Sequence, residues 1–395
     1  MRAPFMILFI TLMVNLIVDI YIYTQCNRRC HSKKWSRLQK GTALALIAVM
    51  VAEMAIPARE GNLTMLLAKM WILFGYFTIY IPKYLAVIAD LIASIPRLWH
   101  HKRIKWITCT GIVIAVATFL AMWWGALINR YRIHVREVAV EIEGLPKSFD
   151  GFRIAQFSDL HSGTFGTDTS FAEKLVDRIN SLGADVIVFT GDIVNRQSDE
   201  MLPFVSTLSE LHAPQGTSAI LGNHDYGDYK NWPDETAKQE NMEVLYKAYD
   251  DAGISLLRND FQWLRNGTDS IALIGVENIG DPPFRTYGSL TASYPDLSDS
   301  TAKVLLTHNP QHWVDSIAGN SNVNIPLTLS GHTHAMQIEI GDWSPAMFRY
   351  PTWGGMYSDD SKSHSLYVNI GSGTVGIPMR VGATPEITLI TLRSK

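Results

Sequence analysis

Long apolar runs crowd into the first third of this chain. Pro4 to Thr24 is almost continuously apolar, and so are Gly41 to Pro57, Leu63 to about Ile81, and Trp106 to Ile128. A bilayer-crossing helix needs about 20 apolar residues. A lipid-exposed backbone must also satisfy its own N–H and C=O groups, which leaves only helices and closed barrels. Residues 1–130 therefore read as about four membrane helices, with 41–57 marginal and the third free to run past Pro82 toward Ile95. The first run is too long for a cleaved signal and is followed by a basic cluster, so it reads as a retained helix. Asp19, Glu53 and Lys69 fall in or near these runs. Asp19 and Glu53 lie near segment ends, where they are expected to reach the interface in an anchoring role, with a sensor or lipid-handling role as the alternative.

Lys/Arg asymmetry between loops sets the expected orientation. One side collects Arg28, Arg29, Lys33, Lys34, Arg37, Lys40, Arg97, Lys102, Arg103 and Lys105; the other has Arg2, Arg59, Arg130, Arg132 and Arg136. The richer side is expected in the cytoplasm. That makes the chain a multi-pass protein of the cell (inner) membrane with residues 131–395 extracytoplasmic, although three arginines directly after the last run pull the other way.

The three cysteines, Cys26, Cys30 and Cys109, all precede residue 131, so no disulfide framework holds the remainder. Cys26, Cys30 and His31 offer fewer than the four ligands of a structural zinc and read as a juxtamembrane loop. A net charge of −3 without a basic stripe argues against a nucleic-acid partner.

After residue 130 the pattern changes to alternating strands and helices. Val135 to Ile142 reads as a lead-in strand. Further strands are expected at 153–157, 185–189, 218–221, 271–275, 303–307, 326–329, 366–370 and 386–392. Helices are expected at about 171–182 (capped by Asp168 or Thr169), 202–211 and 231–252. This is a layered α/β domain whose strand-rich end suggests a mixed sheet or two packed sheets.

Five of these strands end in a potential ligand cluster: Ser158-Asp159-Leu160-His161, Gly191-Asp192, Gly222-Asn223-His224-Asp225, Thr307-His308-Asn309, and Gly331-His332-Thr333-His334. Ligands bind beyond the carboxyl ends of strands in open α/β sheets, so all five are expected to converge. Aspartate can bridge two cations, imidazole suits zinc, manganese or iron, and asparagine adds a neutral oxygen. In an extended chain Asp159 and His161 face one way, as do His332 and His334. The glycines before three clusters permit sharp turns and close backbone approach.

D-x-H at 159–161, G-D at 191–192, G-N-H-D at 222–225, His308 and G-H-x-H at 331–334 together resemble the calcineurin-like metallophosphoesterase superfamily. The stretch from Gly144 to Gly163 and the tail 376–392 are similar to its membrane-associated YkuE-type branch. The resemblance implies a four-layer α/β/β/α sandwich of the metallophosphoesterase type, at 131–395, behind a four-helix transmembrane region at 1–130. It implies two divalent metal ions, one held by Asp159, His161, Asp192 and His334, the other by Asp192, Asn223, His308 and His332. His224 would act on the phosphate or leaving oxygen, with Asp225 as its orienting partner. The branch usually carries two glycines after G-H-T-H, where this chain has Ala335 and Met336, so the pocket floor is expected to differ.

The expected activity is hydrolysis of a phosphomonoester, phosphodiester or pyrophosphate by metal-activated hydroxide. The substrate is phosphorylated and membrane-associated; a lipid-linked pyrophosphate is one candidate, and it would want a cytoplasmic site. A non-catalytic metal-binding sensor coupled to the membrane helices is the alternative. Arg196, Arg285 and Arg380 are candidates for a phosphate contact or for loop staples. The aromatic segment Trp343 to Tyr357 could lie on the bilayer, roof a lipid pocket or simply pack.

Overall fold

The computed structural model describes residues 2–30, 33–54, 56, 59–280, 282 and 285–395. The chain divides into two units, Met1–Gly61 with Ala68–Ala126, and Asn62–Leu67 with Leu127–Lys395.

The first unit is built from α1 (Arg2–Gln25), α2 (Lys33–Met54), α3 (Leu63–Ser94) and α4 (Lys105–Leu127). Among the described residues three helices are long and apolar enough to cross a membrane, over Phe9–Arg29, Leu63–Trp99 and Lys105–Tyr131. The second helix opens with Lys33, Lys34, Arg37 and Lys40, which leaves it only a short apolar stretch. The far end of that run, Pro57, lies outside the described residues. α3 passes through Pro82 without a break and ends at Ser94.

Asp19 and Glu53 do not reach out toward an interface as expected. Both are buried and paired within the unit. Asp19 meets Lys83 Nζ at 2.7 Å and accepts from Tyr80 Oη at 2.7 Å and Gln39 Nε2 at 2.8 Å; Glu53 meets Lys69 at 2.5 Å. A third carboxylate, Asp90, gathers Arg29, Arg103, Tyr21 and Thr108 at 2.6–2.8 Å. A charge leaves water at low cost only when it is paired. Cys26 and Cys109 take part in no disulfide among the described residues; His31 and the Cys30 side chain lie outside them.

The second unit carries β1 (His134–Ile142), β2 (Arg153–Phe157), α5 (Ser170–Asn180), β3 (Val186–Phe189), α6 (Val205–Leu208), β4 (Thr217–Ala219), α7 (Glu235–Asp251), β5 (Ile254–Leu256), β6 (Asp260–Asn266), β7 (Asp269–Gly275), β8 (Lys303–Leu306), α8 (Gln311–Ser316), β9 (Leu327–Ser330), β10 (Gly355–Ser358), β11 (Ser365–Val368) and β12 (Glu386–Ser394). Among the described residues the strands form two six-stranded sheets, β1-β12-β2-β3-β4-β5 and β10-β11-β9-β8-β7-β6. β2, β3, β4 and β5 run parallel, as do β7, β8, β9 and β11, while β12 runs parallel to β1 and antiparallel to β2.

Alternation within the strands decides the layers. Ile154, Val186, Val188 and Ile390 of one sheet meet Leu273, Val304, Leu306, Leu327 and Leu329 of the other in a common core. The opposite face of the first sheet, with Phe157, Ile187, Phe189 and Leu389, is covered by Phe171, Leu175 and Ile179 of α5 and Leu245 and Tyr249 of α7. The outer face of the second packs Ile274, Leu305 and Val368 under Trp313 of α8, with Ile317 and Tyr294. The order is α/β/β/α. Asp168 Oδ1 accepts from Ser170 N at 3.0 Å to start α5, and Asp234 caps α7 through Ala237 N at 2.8 Å. The helix expected over 202–211 is much shorter: a 3-10 turn over Leu202–Phe204, with Pro203 in it, precedes a single turn of α6.

Candidate metal centre

All five ligand clusters meet, but at the shared end of two stacked sheets. Asp159 and His161 follow β2, Asp192 follows β3 and Asn223 follows β4, all from the first sheet; His308 follows β8 and His332 and His334 follow β9, from the second. Two groups of donors result, Asp159–His161–His334 and Asp192–His308–His332, each with its ligand atoms within 4.8 Å of one another. His161 Nε2 lies 3.0 Å from His334 Nε2, and His334 Nε2 lies 3.3 Å from Asp159 Oδ1. In the other group His308 Nε2 is 3.2 Å from both Asn223 Oδ1 and His332 Nδ1. One oxygen joins them: Asp192 Oδ2 is 3.1 Å from His308 Nε2 and 3.6 Å from His161 Nε2.

The extended geometry expected for Asp159/His161 and His332/His334 is not what aligns them. Asp159, His161, Asp192, His332 and His334 all have φ between +46° and +76°. Such left-handed backbone is uncommon outside glycine and collects at functional sites, at about 1–3 kcal/mol each. Ala335 and Met336 continue it at φ +51° and +44°, so the backbone keeps a glycine-like path with side chains attached. Close approach is real at all three glycines: a Cβ on Gly191 would fall 2.5 Å from Gly222 N and 2.9 Å from His308 Nδ1. A Cβ on Gly222 would fall 2.1 Å from Asp192 Oδ1, and one on Gly331 2.0 Å from Ser158 Oγ and 2.3 Å from Asp159 Oδ2.

The electrostatics favour cations. Burial pushes His161 down to about 3, aided by His224, and burial with the neighbouring His308 does the same to His332. Both rings are neutral and offer lone pairs. Burial likewise raises Asp159 to about 7. His308 is the exception: burial lowers it, but Asp192 and Asp159 outweigh that and hold it at about 9. The Asp159 carboxyl and the His308 ring thus keep protons where a metal ion would stand, while Asp192, beside His308, His224 and His161, is held well below the usual carboxylate range. Arg380 Nη2 donates to His334 Nδ1 at 3.0 Å. Two facing imidazoles with carboxylates beside them form a donor set that suits divalent cations, and the residues fit two such ions.

Neighbours fix which atom of each ligand faces inward, as outer-shell contacts commonly do. His308 Nδ1–H donates to Thr190 O at 2.7 Å. His332 Nε2 meets Tyr350 Oη at 2.9 Å, leaving Nδ1 toward His308. Asn223 Nδ2 donates to Tyr229 Oη at 2.8 Å, which turns its Oδ1 inward. His224 stacks on Tyr229, with ring centroids 4.1 Å apart, and stands edge-on to His161. Its Nδ1–H donates to Asn195 O at 2.7 Å.

That last contact corrects the role expected for Asp225. Its carboxylate does not touch the His224 ring. It accepts from the backbone N–H groups of Asp192, Ile193, Val194 and Gly222 at 2.8–3.2 Å and clamps the turn that carries Asp192. Arg380 is a loop staple, wholly buried, donating to Gly373 O, Ala383 O and Ile370 O besides His334. Arg196 is buried beside Glu200 and donates to Asn62 O; Arg285 is exposed and pairs with Asp228. Tyr229 and Asn195 escape a reading of the sequence, because a lone tyrosine or backbone carbonyl carries no motif, and Tyr350 is reached only as one member of the aromatic segment Trp343 to Tyr357.

A family model for the calcineurin-like phosphoesterase transmembrane domain matches residues 1–130, and the calcineurin-like phosphoesterase model matches residues 152–336. The chain is 32% identical over 276 residues, 68% of its length, to 88% of the uncharacterized metallophosphoesterase YkuE of Bacillus subtilis. It is 30% identical to a transmembrane protein with metallophosphoesterase domain of Danio rerio, over 72% of this chain but 62% of that one. It is 29% identical to the UDP-2,3-diacylglucosamine pyrophosphatase LpxG of Chlamydia trachomatis, over 72% of this chain and 96% of that one. On this likeness, and with a two-metal donor set at the meeting edge of its sheets, the chain belongs to the calcineurin-like metallophosphoesterases as a membrane-spanning member.

Proposed function

We propose that residues 131–395 form a phosphoesterase domain, held to the membrane by residues 1–130, that hydrolyses a phosphate ester or pyrophosphate on a lipid-linked molecule. The observation that carries the reading is Asp192 Oδ2, within 3.6 Å of imidazole nitrogens from both donor groups. Asp159, His161, Asp192 and His334 would hold one divalent ion, and Asp192, Asn223, His308 and His332 the other; manganese, zinc and iron all suit these donors. When bound, two such cations clamp phosphoryl oxygens and lower the pKa of water enough to yield a nucleophile near neutral pH.

The chain's own groups do the rest. His224, anchored through Nδ1–H on the Asn195 carbonyl, would act as the doubly protonated ring, giving its Nε2 proton to the leaving oxygen and keeping the Nδ1 proton. Tyr229 holds the plane of that ring. Asp225 keeps the Asp192 turn in place. The lipid-linked substrate is supported by the membrane unit and by the likeness to LpxG, whose name places a diacylated sugar nucleotide in its site. An extracytoplasmic domain on the cell membrane is supported by the loop charges. Arg130 and Arg136, which pull the other way, are committed to contacts inside the folded domain.

The test uses the full chain in detergent or nanodiscs with manganese and bis-p-nitrophenyl phosphate. Turnover is expected, with loss of both turnover and bound metal in Asp192→Ala. No turnover with metal bound, or turnover unchanged in that variant, overturns the reading.

A further inference from the structure

The large apolar side chains exposed near the metal centre are concentrated in one segment. Between His334 and Tyr350, both in contact with the centre, Ile340 is 66% and Phe348 80% exposed, and Met336, Trp343 and Met347 are exposed beside them. The segment is fixed in place. Ser344 Oγ donates to Ala335 O at 2.6 Å, Ala346 N donates back to Ser344 Oγ at 3.0 Å, and Tyr350 Oη meets His332. Met336 holds a left-handed backbone (φ +44°) with its side chain in the open, a conformation that a β-carbon disfavours. Soluble surfaces seldom gather aromatic and methionine side chains in this way without a partner.

Hydrogen bonds name the partner. The segment is tied to the stretch Pro378–Thr384 through Glu339 N to Val381 O at 2.9 Å and Val381 N to Gln337 O at 2.8 Å. That stretch is clamped in turn by Asn129 and Arg130, in the 3-10 turn Asn129–Tyr131 that follows α4. Asn129 Nδ2 donates to Arg380 O at 3.0 Å, Thr384 Oγ1 donates to Asn129 Oδ1 at 3.1 Å, and the buried Arg130 guanidinium donates to Pro378 O and Thr164 O. The exposed segment is therefore tied, through two sets of hydrogen bonds, to the turn that directly follows α4, a helix long and apolar enough to cross a membrane. Trp, Phe and Met with a flanking arginine (Arg349) are the side chains an interface between headgroups and acyl chains accepts.

We propose that Met336–Phe348 is a lipid-docking lip of the active site, which enters the bilayer surface so that a phosphate ester reaches the metal centre while its apolar part stays among lipids. The proposal goes beyond the phosphoesterase reading, since it concerns what the lip touches whether or not turnover is seen.

The full chain, with Cys26, Cys30 and Cys109 replaced by serine, is reconstituted into phosphatidylcholine/phosphatidylglycerol nanodiscs. Phe348→Cys carries an environment-sensitive fluorophore, and Trp263→Cys, exposed on β6, carries the same label as control. Nitroxide on the lipid acyl chains is expected to quench the label at 348 roughly twofold or more beyond the control, because interfacial apolar groups sit ~5–10 Å into the boundary. Met347→Cys gives the same reading should Phe348→Cys fail to fold. Equal quenching at the lip and control positions overturns the proposal. So does a lip label shielded from aqueous iodide but untouched by lipid nitroxide, which marks a protein partner or a second copy. Failure of the diester assay leaves these outcomes unaffected, so the two readings fail separately.

Discussion

A carboxylate oxygen that serves two imidazole groups makes Asp192 the side chain through which one change reaches both metal positions, whereas His224 touches the chemistry alone. His224→Gln is therefore expected to keep its metal, by elemental analysis, while kcat falls by about 10²–10⁴, the usual worth of a positioned proton donor. Tyr350→Phe removes the oxygen that meets His332 Nε2. A metal-ion competition titration should then show one site weakened by about 10–100-fold, as when an outer partner of a histidine ligand is lost. The protons held by the metal-free centre set its pH dependence. Asp159, at about 7, and His308, at about 9, are both raised, so both carry protons below pH 7 and must release them when a cation binds. Metal affinity should rise with pH through this window. Proton release, from calorimetry in buffers of different ionisation enthalpy, should be largest below pH 7 and shrink past about 9.

Turns between strand ends and helices hold the unusual backbone, and there the geometry leaves no tolerance. In Gly331→Ala the new methyl must displace Ser158 or Asp159. The expected result is loss of metal from the Asp159 group and a lower melting temperature, read by elemental analysis and thermal denaturation. The same turns mark the limit of what residue order reveals. The five clusters were legible because each follows a short buried strand, such as Val186–Phe189 or Lys303–Leu306, and four of them carry a glycine or a D-x-H pattern. Their meeting across two sheets was not, because it rests on contacts between segments 85 to 173 residues apart; nor was the left-handed path that aligns Asp159 with His161, which is held by backbone bonds to Gly191 O and Asp192 O on the neighbouring turn. β5, β6 and β10 went unread for a simpler reason: they are short or half-exposed, so their alternation is weak. Asp19, Glu53 and Asp90 show the same limit among the membrane helices, where each partner lies on another stretch of chain and no local pattern announces the pair.

For the whole chain, the side of the membrane that the domain occupies remains a direct prediction. Alkaline phosphatase fused after Lys395 is expected to be active, and a fluorescent cytoplasmic reporter there silent; the reverse would place the domain in the cytoplasm and favour a substrate made there. A different consequence comes from the clamp at Asn129 and Arg130. Here the chain passes from the end of the last span to β1 at His134 with its connecting residues already bonded to the loops that bear His161 and Arg380. The residues that open the domain are thus part of the frame of its centre: the turn at Asn129 is bonded to the Arg380 backbone, and the Arg380 guanidinium stands behind His334.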